Sequence, residues 1–182
     1  FPVRLIKAKD IDEEFDALAQ VINNIQSNTD HSVGKKIAIS HMVHSTLDEI
    51  QRRLKKRGII TSRIAPGMHV EDFPDLEQKN LVLLCAIHSL KGLEVDHVIF
   101  PRAEFATDWK DPEIRDNLLF VLFTRSRFNV ICSYIKEDNY LLDKIPSYKT
   151  STFIEHILAA ELLHSVPATT ADEPDIEDDL PF

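Results

Sequence analysis

"CAIHSLKGLEVDHVIF", residues Cys85 to Phe100, holds two apolar segments parted by a short polar one. The first runs down to His88; the second resumes as "VDHVIF" after Lys91-Gly92-Leu93-Glu94. Apolar runs this short, bounded by a Lys-Gly turn, predict two buried strands joined by a compact loop rather than by a long helix.

The same grammar extends in both directions. "PVRLIKAK" alternates as a strand does, and Ile11, Phe15, Leu18, Val21, Ile22 and Ile25 then recur at helical spacing behind Asp10, a predicted N-cap. "KIAIS" is the next predicted strand, followed by a helix from about Thr46 whose apolar face is Leu47, Ile50 and Leu54 and which Gly58 ends as its C′ residue. "IITSRI" and "LVLLCAI" read as further strands. C-terminal to the opening stretch, "PEIRDNLLFVLFTRSR" places Ile114, Leu118, Val121, Leu122 and Arg125 on one helical face and hands directly to the strand "FNVICSYI". "TFIEHILAAELL" is predicted as a closing helix. Uninterrupted apolar strands alternating with helices predict an α/β domain, a parallel sheet covered on both faces, over residues 1–165.

With 182 residues, 43% of them hydrophobic and 28% charged, the chain can bury a single core. It lacks an apolar run of the roughly 20 residues a membrane helix needs, and "FPVRLIKAKDIDEEF" has no signal-peptide pattern, so no membrane partner and a cytoplasmic location are expected. Cys85 and Cys132 lie inside strand-like runs and are expected as buried, reduced thiols. Residues 166–182 differ from the rest. They hold six acids (Asp172, Glu173, Asp175, Glu177, Asp178, Asp179) and no Lys or Arg, two thirds of the net charge of −9, with too few apolar residues to offset the entropy of ordering. A disordered acidic tail is predicted there.

In open α/β sheets ligands gather at the carboxyl ends of strands. His88, Ser89, Lys91, Gly92 and Glu94 are expected at such an end, and the helix end carrying Thr124 and Arg125 is expected at the same edge, which makes one small site geometrically possible. Gly92 would let backbone approach a phosphate, Glu94 can accept a hydroxyl hydrogen bond, and Arg125 has the planar donor fork suited to phosphate. Singly, each has a plainer role: a surface histidine, a turn, a cation complementing a helix C-terminus.

Order and context favour the functional roles. "AIHSLKGLEVDHVIF" resembles motif V, and "NLLFVLFTRSRFNVI" resembles motif VI, of UvrD/Rep/PcrA-type superfamily 1 DNA helicases. "KIAISHMVHSTLDEIQRRLKKRGI" is similar to the motif IV segment, and the three occur in the family's order across residues 33–136. The resemblance implies the second RecA-like domain (2A) of an ATP-dependent DNA helicase or translocase, with a 1A domain in the same or another chain supplying the Walker A loop and the metal-binding acids. None of Gly34, Gly58, Gly67 and Gly92 stands in a G-x-x-x-x-G-K-[ST] arrangement. ATP and Mg²⁺ are therefore implied only for the two-domain assembly, not for this fragment alone.

By resemblance, Arg125 is the finger that reaches the γ-phosphate, with Thr124 beside it; Glu94 contacts the nucleotide sugar and Gly92 nears the phosphates. His88 links nucleotide state to single-stranded DNA, with Ser89 and Lys91 as neighbouring contacts. Where many relatives carry a motif IV arginine, Met42 stands here, flanked by His41 and His44 as substitutes. Sixteen residues, Ala65 to Asn80, separate Ile64 from Leu81, which leaves no room for the 2B subdomain of many relatives. The tip "DIEDDLPF" resembles the terminal peptide of bacterial single-stranded DNA-binding proteins, so Asp178, Asp179, Pro181 and Phe182 are implied to bind a genome-maintenance protein, the aromatic ring filling an apolar pocket and a terminal carboxylate meeting a basic residue. Two functions follow: a motor half that completes a DNA-repair helicase, or a non-catalytic helicase-like adaptor that recruits partners through its tail.

Overall fold

The computed structural model describes residues 3–28, 35–65, 67–68, 81–106, 110–137, 140–141 and 154–164. The turn expected around 29–34 and the acidic tail lie outside these residues.

Among the described residues seven parallel strands form one sheet in the order β3-β4-β2-β5-β6-β1-β7. They are β1 (Val3–Lys7), β2 (Ile37–His41), β3 (Ser62–Arg63), β4 (Val82–Ala86), β5 (Val95–Phe100), β6 (Ser126–Tyr134) and β7 (Ile154–Leu158). Every residue of β2, β4 and β5 is buried, as strands covered on both faces must be. Alternation divides their side chains between two cores. Ala38, Leu83, Cys85, Val98 and Phe100 face one; Ile37, Ile39, Val82, Leu84 and Ile99 face the other.

The second core is roofed by α1 (Ile11–Ser27) and α2 (His44–Lys56). Asp10 caps α1 as predicted, its carboxylate accepting from the amides of Asp12 and Glu13 at 3.1 and 2.9 Å, an arrangement worth about 1 kcal/mol. α2 begins two residues before the predicted Thr46, with no side-chain cap, and is held by its buried stripe Leu47, Ile50 and Leu54. Gly58 ends it at φ +78°, a left-handed value that suits glycine. Arg53 and Arg57 reach from α2 to Asp12 and Asp16 of α1 at 3.0 and 2.6 Å, fixing the two helices side by side.

The first core is roofed by α3 (Pro112–Thr124) and by the β4–β5 connection. Asp111 caps α3 and Pro112 occupies its first turn. The inward stripe of α3 is Arg115, Leu119 and Leu122, one residue away from the predicted face, and Ile114 is half exposed. Leu118 and Val121 pack at its margin. A helix with apolar residues on most sides has no unique face in the sequence; packing selects it.

Two expected elements differ. "IITSRI" pairs only at Ser62–Arg63 and leaves Ile60 86% exposed. The closing helix is instead strand β7 followed by α4 (Ala159–His164). β7 pairs with β1 from Val3↔Ile154 to Lys7↔Leu158, so ladder hydrogen bonds along the free side of β1 outweigh the helical spacing of residues 152–158. Cys85 and Cys132 are buried thiols, and burial pushes the Cys85 pKa up to about 12.

Candidate functional site

The β4–β5 connection decides where the candidate residues lie. Because β4 and β5 run parallel, the chain leaves the carboxyl edge at Ala86 and re-enters at the amino edge at Val95, crossing in eight residues where a dozen or more are usual. A 3₁₀ turn, Ile87–Leu90, starts the crossing, and Ile87, Leu90 and Leu93 pin it to the first core. Gly92 follows at φ +88°, and a Cβ there would meet nothing within 4 Å, so backbone conformation alone demands glycine. Glu94 therefore sits at the amino edge, not at the carboxyl edge expected from the general rule for open sheets.

Arg125 meets it there. The residue caps the C-terminus of α3 at φ −94°, ψ −10°, and its carbonyl accepts from the Val95 amide at 3.3 Å, tying the start of β5 to the start of β6. Ser126 locks the junction further: its single hydroxyl proton is shared between the carbonyls of Asp96 (3.0 Å) and Asn129 (2.6 Å). Glu94, Thr124, Arg125, Ser126 and Arg127 line a cleft of about 330 Å³ open to solvent. Thr124 turns its hydroxyl back to the Phe120 carbonyl at 2.9 Å. Among the described residues the guanidinium of Arg125 meets Thr124 Oγ1, at 3.5 Å, and its buried Nε has no hydrogen-bond partner. A buried donor left unsatisfied costs on the order of 1–3 kcal/mol, which an incoming acceptor would recover. Arg127, which sequence reading missed, is the outward residue of the alternation that turns Ser126 inward, and it adds a second cation to the cleft.

His88 lies at the opposite edge, exposed, its ring 5.7 Å from that of His44 at the start of α2. Ser89 is half-buried and Lys91 exposed on the crossing itself. Hence Glu94, Thr124 and Arg125 come together, whereas His88 is separated from them by the width of the sheet. The motif IV positions also lie at the carboxyl edge: Met42 is 6% exposed in the first core, and His41 is fully buried between Phe100 (5.5 Å) and Phe105 (5.7 Å). Burial lowers the His41 pKa to about 4, so the ring is neutral at pH 7.

A buried polar cluster beside His41 had no signal in the sequence. Glu14, fully buried on α1, accepts from Ser133 Oγ (2.7 Å) and from the Arg102 amide (2.9 Å), with Arg102 Nε 3.7 Å from its second oxygen and 3.0 Å from Glu104. Arg102 adopts φ +55°, the one non-glycine residue with positive φ among those described, and its guanidinium lies 4.7 Å from the Phe105 ring centroid. Burial raises the Glu14 pKa to about 7. Among the described residues no group of three or more His, Cys, Asp or Glu side chains could hold a metal ion, and no helix is long and apolar enough to cross a membrane.

The sheet order, the two roofed faces and the short crossing define an RecA-like α/β domain of the type found as the C-terminal domain of helicases. Solved structures with this fold include the C-terminal domain of a possible DNA helicase from Lactobacillus plantarum WCFS1, 17% identical with a TM-score of 0.59 over 84% of either chain. The C-terminal domain of the DEAD-box protein Dbp5 is 15% identical, with a TM-score of 0.62 over 88% of this chain and 91% of that one. The E. coli DEAD-box protein SrmB, bound to regulator of ribonuclease activity A, is 15% identical, with a TM-score of 0.57 over 92% and 96%. No protein-family profile and no curated protein sequence matches the chain.

Proposed function

We propose that this chain is the C-terminal motor domain of an ATP-dependent DNA helicase or translocase of the UvrD type, completed by a Walker A-bearing domain that closes over the amino-edge cleft. The observation that carries the reading is Arg125: a guanidinium at a helix–strand junction, its Nε buried and unpartnered, beside Glu94 in a cleft with a second arginine. That donor set fits a triphosphate. Arg125 and Arg127 would hold phosphate oxygens and Glu94 a ribose hydroxyl, while any Mg²⁺ would be held by the other domain. Arg125 would act late, stabilising charge that grows on the transferred phosphoryl group.

The reading makes the eight-residue crossing the connection between two ligand sites. Its amino-edge end, Glu94, faces nucleotide, and its carboxyl-edge end, His88, faces the nucleic-acid strand. Pinned in the middle by Leu90 and Leu93, a segment of this length would transmit a shift at one end to the other. His88→Ala should thus reduce stimulation of ATP turnover by single-stranded DNA severalfold while basal turnover stays near wild type. Equal losses in both rates would assign His88 to packing instead.

On this reading the chain supplies only one wall of a nucleotide site, so the purified 182-residue chain should release no phosphate from ATP above background, with or without single-stranded DNA or RNA. Adding a Walker A-bearing 1A domain should restore turnover. Turnover by the chain alone that survived Arg125→Ala would overturn the reading.

A further inference from the structure

A surface feature not used by the proposed site lies on the other face of the sheet, where α2 ends and β3 begins. A groove of about 590 Å³ runs between them. Its floor is Ile59, 5% exposed, and its wall is Ile60, 86% exposed, more than any other large hydrophobic residue described. Gln51 Nε2 donates to Thr61 Oγ1 at 3.2 Å and stitches the two sides together. The rim is cationic. Arg52, its side chain 64% exposed, stands 3.9 Å from Glu49, and Lys55 has no ion-pair partner among the described residues. Asp48, the one acid among the described lining residues, is engaged by Arg63.

An apolar slot with a cationic rim, of which Lys55 is unpaired among the described residues, calls for an acidic segment carrying apolar side chains at its tip, and residues 172–182 have that composition: six acids followed by Leu180, Pro181 and Phe182. Topology leaves them within reach. α4, the last described element, packs on α1, and α1 is bridged to α2 by Arg53–Asp12 and Arg57–Asp16. β7 and β3 are the two edges of the sheet, six strand spacings of roughly 4.8 Å apart, so the groove is about 30 Å from the end of α4. The eighteen residues from 165 to 182 span up to about 60 Å. Held on such a tether, even a weakly binding segment is present at an effective concentration in the millimolar range.

We propose that the acidic C-terminal segment of this chain docks in its own α2–β3 groove, with Leu180 and Phe182 against Ile59 and Ile60 and with Asp178 and Asp179 toward Arg52 and Lys55. The ring supplies the anchor; the acids supply salt-sensitive attraction. Docked, the segment is withheld from other partners, and a partner competing for Phe182 must first displace it.

Methyl NMR of the full chain tests this. The Ile60 methyl signal should shift on Phe182→Ser, move partway on Lys55→Glu, and follow the Phe182→Ser direction when ionic strength is raised to about 1 M, where the screening length falls to about 3 Å. Tenfold dilution should leave it unmoved. The core methyls of Ile39 and Ile99 should stay fixed throughout and report that the domain is folded. An Ile60 signal indifferent to Phe182 would overturn the proposal, and one that reverts on dilution would assign the contact to the tail of a second copy.

Discussion

Arg125→Ala, made in an assembly that supplies the Walker A wall, should slow ATP turnover by on the order of 10³-fold with little change in KM. That the loss falls on rate and spares the fold follows from what the side chain does for the fold, which is little. It makes one marginal contact, to Thr124 Oγ1, and leaves its Nε unpaired, so few native interactions are lost when it is removed. Interactions made chiefly in the transition state appear in kcat rather than in KM. As a helix C-cap the guanidinium offers the folded chain less than about 1 kcal/mol, so the melting temperature should fall by only a few degrees. Arg125→Lys should recover only a small part of the rate, because an ammonium cannot reproduce a planar fork. Arg127→Ala, more exposed and not at the junction, should cost less than Arg125→Ala. Unchanged turnover in Arg125→Ala, with the fold intact, would reduce the residue to a helix cap and move the chemistry elsewhere.

How much of this was legible beforehand depended on whether the signal was local. The strands of the sheet centre announce themselves because burial on both faces makes β2, β4 and β5 continuous apolar runs. Asp10 and Gly58 are equally plain, since caps act on adjacent backbone. Glu94 and Arg125 were legible as residues but misplaced as a site: the sequence shows a loop after β4, whereas only the strand order shows that this loop returns to the amino edge. β7 was hidden because strand pairing with β1 is a long-range fact, 151 residues apart at Val3↔Ile154. The Glu14–Arg102–Ser133 cluster was hidden for the same reason. Glu14 stands in the acidic run "DIDEEF" and looks like one more solvated helix charge. Nothing in that run says that the fourth of its acids turns inward beneath β6.

That cluster sets up the second large effect. Glu14 and His41 are both buried, and both are displaced chiefly by desolvation, but in opposite directions. The folded Glu14 carboxyl titrates near pH 7, above its unfolded value near 4.5, so the folded chain holds a proton that the unfolded chain has released between those limits. Its contribution is full below about pH 4.5 and is lost as pH rises to 7, a loss of roughly 3 kcal/mol. His41 does the reverse. Its folded value is near 4 against 6.5 unfolded, so its contribution is full above pH 6.5 and is lost by a similar amount as pH falls to 4. Between pH 4.5 and 6.5 the two slopes oppose one another, and their combined effect on stability should be nearly flat. Single substitutions should unmask each slope. Relative to wild type, Glu14→Gln, which keeps an acceptor for the Arg102 amide, should become progressively more stable as pH rises from 4.5 to 6.5. His41→Gln should become progressively less stable across the same window. Each difference should reach roughly 2–3 kcal/mol, and each is read from urea midpoints at constant m-value, with the other carboxylates cancelling in the comparison. The double variant should return to the wild-type slope. If all four proteins share one profile, neither group carries a buried titration, and the polar contacts of Glu14 and His41 serve packing alone.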